Sequence, residues 1–213
     1  MKKAIAALLV LLLMLRGICA CAENMPTEEN LYTHPTKGYT FFVPEGWLIV
    51  DAENIEDCIS ACETGEITFS AVNAQVLNSM MPQIRQLDCA MLFDPYGNNA
   101  VFVTESLGNL WSNEQFIALM IPTLKAQFTR QHPDIEFTSE GDLLPLGENE
   151  FITLTGTYHL NGGIFSLDQL YIIDKTRVHC ISLTVSSHAI PEEANLFFTE
   201  MVDILSSFSI SAR

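Results

Sequence analysis

Outside its first 22 residues the chain carries four cysteines and five histidines, and these hold most of its reactive chemistry. Cys58 and Cys62 are four residues apart, one helical turn. A turn places Cβ atoms about 5–6 Å apart, wider than the roughly 3.5–4.5 Å a disulfide spans. Both share an apolar stripe with Ile55 and Ile59, so they read as small buried hydrophobes. A CxxxC pair is not a CxxC redox motif, and two thiols without a neighbouring His do not complete a zinc site. Cys89 and Cys180 fall on different expected strands and are the pair assigned to a disulfide if those strands meet. His34, His132, His159, His179 and His188 are scattered. His159 and His179 lie on strands of one expected meander, yet hydrogen-bonded or solvated histidines far outnumber ligands in such settings. No metal ligand and no cofactor is assigned.

The chain has no HExxH, GxSxG, P-loop, GxGxxG or EF-hand spacing. Glu28-Glu29 and Glu192-Glu193 read as arm and helix-start charges rather than a catalytic carboxylate pair. No catalytic residue is assigned on this basis. Asp94-Pro95-Tyr96-Gly97-Asn98-Asn99 combines polar and aromatic groups and could meet a ligand; its residue types are also those of an ordinary hairpin turn, the favoured reading. Trp47 is expected to anchor a core beneath the turn that precedes it.

These groups must be positioned by a chain of 213 residues with 48% hydrophobic and 17% charged content, enough apolar material for a full core in one or two domains. That composition excludes a disordered tail, a collagen-like fibre and a small disulfide-stapled knot. Lys2 and Lys3 precede twelve apolar residues, Ala4 to Leu15, followed by small residues up to Ala22. Twelve residues rise only about 18 Å as a helix, against a bilayer core of about 30 Å. The segment 1–22 is therefore expected to be a secretory signal peptide. Ala20-Cys21-Ala22 suits cleavage before Glu23, the favoured reading; Ile18-Cys19-Ala20-Cys21 also resembles a lipobox, which would make Cys21 a lipidated N-terminus. Both place the mature chain outside the cytoplasm, secreted or lipid-anchored. Losing Lys2, Lys3 and Arg16 takes the formal charge from −16 to −19. Such a field repels nucleic acid and anionic headgroups, so no nucleic-acid partner is expected, and membrane contact only through the leader or a lipid on Cys21.

Residues 23–33 are polar and expected to be a loose arm before a single domain over 34–210. Tyr39, Phe41 and Val43 alternate on one face, and Pro44-Glu45-Gly46 turns the chain into a second strand ending at Val50. Helices are expected from Asp51 to about Glu63, over 73–87 with a kink or a late start at Pro82, from Ser112 to His132, and from Pro191 to about Phe208. Ser112 and Gln115 form a capping box. Strands are expected at Cys89–Phe93 and Ala100–Glu105. A three-strand meander follows, with Ile152, Leu154, Tyr158 and Leu160 alternating and Asn161-Gly162-Gly163 making its first turn. This order specifies an α+β domain, an antiparallel sheet with helices packed on its faces.

The segment Gly38 to Trp47, a hairpin ending in Val-Pro-Glu-Gly-Trp, resembles the opening of PsbP-like domains, a fold shared by the photosystem protein PsbP, a Ran-binding nuclear import factor and many bacterial exported proteins. Element order agrees over roughly residues 30–210. The resemblance implies a non-catalytic accessory or binding module and transfers no functional residue to this chain. With the leader and the acidic charge, it implies an exported interaction module at the bacterial cell envelope with an envelope protein as partner. A small-ligand or divalent-cation binder and a secreted enzyme with an unrecognised site are the alternatives.

Overall fold

The structure is a computed structural model and describes residues 30–69, 72–160, 163–185 and 190–210. Cleavage site, Cys21, His188 and the turn residues Asn161 and Gly162 lie outside the described residues. Seven antiparallel strands form the main sheet: β3 (Leu48–Val50), β4 (Ala90–Phe93), β5 (Asn99–Ser106), β6 (Glu136–Leu146), β7 (Asn149–Leu160), β8 (Gly163–Asp174) and β9 (Arg177–Thr184), in the order β3-β4-β5-β9-β8-β7-β6. Three short strands, β1 (Leu31–Thr33), β2 (Tyr39–Phe42) and β10 (Ser209–Ile210), make a second sheet in the order β1-β2-β10. The helices are α1 (Ile55–Thr64), α2 (Ala74–Leu87), α3 (Asn113–Gln131) and α4 (Pro191–Ser207). The expected meander is present, with β6 paired to its outer strand.

Side-chain alternation along each main-sheet strand divides the core into layers. Ala90, Leu92, Phe102, Phe151, Leu170 and Ile181 point to one face, where α4 supplies Phe197, Met201, Ile204 and Leu205 and the small sheet supplies Tyr39 and Phe41. Met91 and Phe93 point to the other face and meet Ile55, Ile59, Leu77 and Ile84 of α1 and α2. Farther along that same face, Ile152, Leu154, Tyr171 and Val178 meet Phe116 and Ile121 of α3. β4 is buried at all four positions because both of its faces are covered. The result is the α/β/α arrangement of the expected α+β class.

Three local expectations change. The strands on either side of Pro44-Glu45-Gly46 are not a hairpin: β2 pairs with β1 and β10, whereas β3 pairs with β4. The turn, closed by Trp47 N–H donating to the Pro44 carbonyl at 3.2 Å with Gly46 at φ 81°, carries the chain from one sheet to the other. Residues 31–33, placed in a loose arm, form β1 because Leu31, Tyr32 and Thr33 face Phe42, Phe41 and Thr40 in register. Pro82 interrupts nothing: α2 runs unbroken from its Asn73 cap, whose side chain accepts from Val76 N–H. Pro82 and Pro122 of α3 are both exposed, so the carbonyl each leaves without an amide partner can face water.

Candidate functional site

Where the small sheet crosses the main sheet, aromatic rings stack across the seam. Phe41 lies 4.4 Å from Phe102 by ring centroid, and Phe208 stacks on Phe102 at 6.2 Å. Into this apolar seam the fold inserts three polar rings. Tyr39 of β2 sits between His34, at 4.9 Å, and His179 of β9, at 5.8 Å and perpendicular. Exposure of the three is 2%, 1% and 2%, which places them among the most buried polar side chains described. Among the described residues, Nε2 of His34, the hydroxyl of Tyr39 and Nε2 of His179 each lack a partner at ordinary hydrogen-bond geometry. The Asp88 backbone lies beside the His34 ring and the Ala90 backbone beside the Tyr39 hydroxyl, both outside ordinary hydrogen-bond geometry.

The other ring nitrogens are engaged. His34 Nδ1 accepts from the backbone N–H groups of Thr36 and Lys37, both at 3.3 Å. That ring is therefore neutral, with its proton on Nε2. His179 Nδ1 is 2.9 Å from the Thr104 hydroxyl of β5. Burial, followed by the Arg177 charge, pushes His179 down to about 4. Burial also lowers His34, against the pull of Asp88 and Asp51. Both imidazoles are thus uncharged at neutral pH. Burial pushes the Tyr39 phenol up as well.

A polar rim closes over this seam. Lys37 pairs with Asp88 at 3.0 Å, and the Thr36 hydroxyl donates to the same carboxylate. Asp88 is partly desolvated, yet the Thr36 hydroxyl and Lys37 hold its carboxyl below the ordinary range. Arg177 donates to the Lys37 carbonyl at 2.8 Å and is ion-paired with Asp174. Nearby, the Tyr32 hydroxyl donates to Asp51 at 2.7 Å, and Asp51 accepts the N–H groups of Glu53 and Asn54 ahead of α1. The site can gain or lose protons, but its ring atoms are closed from solvent.

The cysteines do not complete it. Cys58, Cys62, Cys89 and Cys180 are free thiols. Cys89 precedes Ala90, which pairs with Phe102, while Val103 pairs with Cys180. β5 therefore stands between the two cysteines, about two strand spacings or roughly 9–10 Å, too far for the expected bridge. Burial raises all four thiols, Cys58 and Cys180 to about 11, so none is a ready thiolate. Cys58 packs in the α1–α2 core as expected.

His159 and His179 are not neighbours. His159 faces Ile164 and His179 faces Ile172, eight residues apart along β8. His159 instead pairs with Asp134 at 3.0 Å, and the His132 ring packs tilted on Tyr158 at 3.9 Å by ring centroid. The Asp94 loop is a hydrogen-bonded turn: the Asp94 carboxylate accepts from Tyr96 N–H, Asn98 N–H and the Asn98 side chain. Trp47 stacks on Phe197 at 5.7 Å and donates to Glu200 at 3.0 Å, the anchoring role expected of it. Glu193 caps α4 by accepting the Ile190 N–H. Among the described residues no group of three or more His, Cys, Asp or Glu is placed to hold a metal ion.

A second feature lies on the surface. Leu107 and Trp111 N–H groups donate to Thr176 and Lys175 carbonyls, which pins the loop before α3 against the β8–β9 turn. Beside it, Asn109, Leu110, Trp111, Gln115 and Leu119 line a concavity of about 200 Å³. Leu110 is 74% exposed and Leu119 60%.

No family model matches the chain, and no curated protein matches it. Its architecture is similar to that of LpqN, involved in cell envelope biogenesis of Mycobacterium tuberculosis, at 14% identity and a TM-score of 0.50 over 85% of this chain and 90% of that one. This is a likeness of fold. Cyanobacterial PsbP (CyanoP) from Synechocystis sp. PCC 6803 is similar at 11% identity and a TM-score of 0.46, over 91% and 97% of the two chains. A protein of Bacteroides thetaiotaomicron VPI-5482 is similar at 9% identity and a TM-score of 0.45; this chain spans about half of its length, 49%. The α+β architecture expected from the PsbP resemblance is the one the structure has. Among the described residues no helix is long and apolar enough to cross a membrane.

Proposed function

We propose that this chain is an extracytoplasmic interaction module of the cell envelope, non-catalytic, that docks an envelope protein through the surface beside α3. The observation that supports it is the pairing of Leu110 and Leu119, both largely exposed, around the half-buried Trp111. Exposed apolar side chains grouped at a concavity are a feature of binding surfaces, and aromatic anchors dominate their energetics. The groups at the buried seam are neutral and shut from solvent, which suits a structural role better than turnover. A fold in common with a protein of cell-envelope biogenesis agrees with this placement.

The test is site-specific photo-crosslinking in the host. A photoreactive side chain at Leu110 or Leu119 is expected to yield one defined adduct with an envelope protein, absent when the same group replaces Leu143 on β6. Adducts of equal yield from all three positions, or none from the α3 surface, would reject the proposal.

A further inference from the structure

His34 holds its own loop in a way that depends on the state of one nitrogen. Two backbone donors, Thr36 N–H and Lys37 N–H, converge on Nδ1. A proton there removes the only lone pair they share and sets three donors against one another. The same loop binds the main sheet at two points: Thr36 and Lys37 hold Asp88 just before β4, and the Lys37 carbonyl holds Arg177 at the start of β9. We propose that residues 34–38 form an acid-released latch, in which protonation of His34 at Nδ1 breaks both loop hydrogen bonds and frees the small sheet from the main sheet along the Tyr39–Phe41 seam.

The surroundings of His34 make that proton costly while the latch is closed. From β1 it meets Tyr32, from its own loop Lys37, and from β2 Tyr39. Asp51 ahead of α1 and Asp88 ahead of β4 favour the charge; Lys37 and burial oppose it, and burial dominates. Cys89 stands near Tyr39 as an uncharged thiol. Beyond Tyr39 lies His179, with Arg177 and Asp174 beside it. Among the described residues the Nε2–H of His34 has only the Asp88 backbone beside it, outside ordinary hydrogen-bond geometry, so the closed latch also keeps a buried donor poorly paired. Opening hydrates that donor and accommodates the new charge together. Hydration of the unpaired Tyr39 hydroxyl accompanies the same opening.

The latch is tested by amide exchange and imidazole NMR on the full chain between about pH 7.5 and pH 5. At the higher pH, His34 is expected as the Nε2–H tautomer with the amides of residues 36–42 protected. Below a midpoint, protection there, corrected for intrinsic exchange, is expected to fall up to about tenfold per pH unit while β7 and β8 hold theirs. His34→Asn keeps an acceptor at the Nδ1 position and takes up no proton, so its loop is expected to stay protected across the range. Should that variant not fold, the unsubstituted chain decides: the loop must lose protection at the pH where His34 charges. An Nδ1–H tautomer at neutral pH overturns the latch. So does a loop that opens while His34 stays neutral, or one that stays closed until the whole chain unfolds.

Discussion

Replacing His179 should remove a specific part of the acid sensitivity of folding. Folded, His179 titrates near 4, because burial and then the Arg177 charge disfavour its cation; unfolded, it should return to about 6.5. A depressed histidine means that the unfolded chain binds the proton more tightly, so stability rises with pH across this interval. Its contribution is whole above about pH 6.5, shrinks as pH falls toward 4, and is then fully lost. Two and a half pKa units correspond to about 3 kcal/mol in all, and the part lost between pH 7 and 5 is about 2 kcal/mol. Other groups contribute to the pH dependence with their own signs. Lowered His34 adds loss in the same direction, while the raised carboxyls of Asp94, Asp168, Glu200 and Asp203 oppose it. Their effects cancel in the difference between the unsubstituted chain and His179→Asn, which retains a side-chain amide for Thr104. Urea unfolding at stepped pH is the assay. The stability advantage of the histidine chain over His179→Asn is expected to shrink by about 2 kcal/mol from pH 7 to pH 5. An advantage that is flat over that range would refute the assigned burial and charge environment of His179.

Gly147→Ala should cost at least about 2 kcal/mol by urea unfolding, since the glycine sits at φ 60° and an added Cβ would overlap the Ser206 carbonyl at the end of α4. Gly65→Ala, at φ 78° with open space around it, should cost only about 1 kcal/mol, and equal losses at the two sites would contradict the packing of the β6–β7 turn on α4. Under oxidising conditions, peptide mapping should recover Cys89 and Cys180 as separate thiols, because β5 lies between them; a Cys89–Cys180 linked peptide would contradict the strand order.

Much of the secondary structure was legible because local rules govern it. The Ser112–Gln115 box is present with both of its hydrogen bonds, and the alternation through Ile152 and Leu154 places them against α3. What a local pattern cannot encode is the strand's partner. A Pro-Glu-Gly turn with a left-handed glycine serves equally well for folding a strand back or for sending it to another sheet, and here it does the second. β1 is not legible in sequence for a related reason: three residues carry no periodicity, and only their register with β2 makes them a strand. The separation of Cys89 and Cys180 belongs to the next level, where the insertion of β5 between β4 and β9 decides what is close and leaves unmet the condition on which their bridge rests.

The buried seam was hidden by the same non-locality. His34 lies in the loop after β1 and His179 on β9, and each alone resembles the other histidines of the chain. Their joint character arises only once β2 threads Tyr39 between them. Three polar atoms without an ordinary hydrogen bond in an aromatic core cost about 1–3 kcal/mol each, set against the bonds that His34 Nδ1 and His179 Nδ1 make on the other side of their rings. Around them, Phe41, Phe102 and Phe208 stack closely enough to offset part of that cost. A seam stabilised by apolar stacking and weakened by polar orphans is one whose closure a single proton can reverse. The rim of Lys37, Asp88 and Arg177 then sets how far the effect reaches, because those side chains connect the loop to both β4 and β9. The α3 surface draws on a different layer of the core, with Phe116 and Ile121 beneath it. Docking at Leu110 and Leu119 can therefore be tested at neutral pH with the latch closed, and opening of the latch can be followed without any partner.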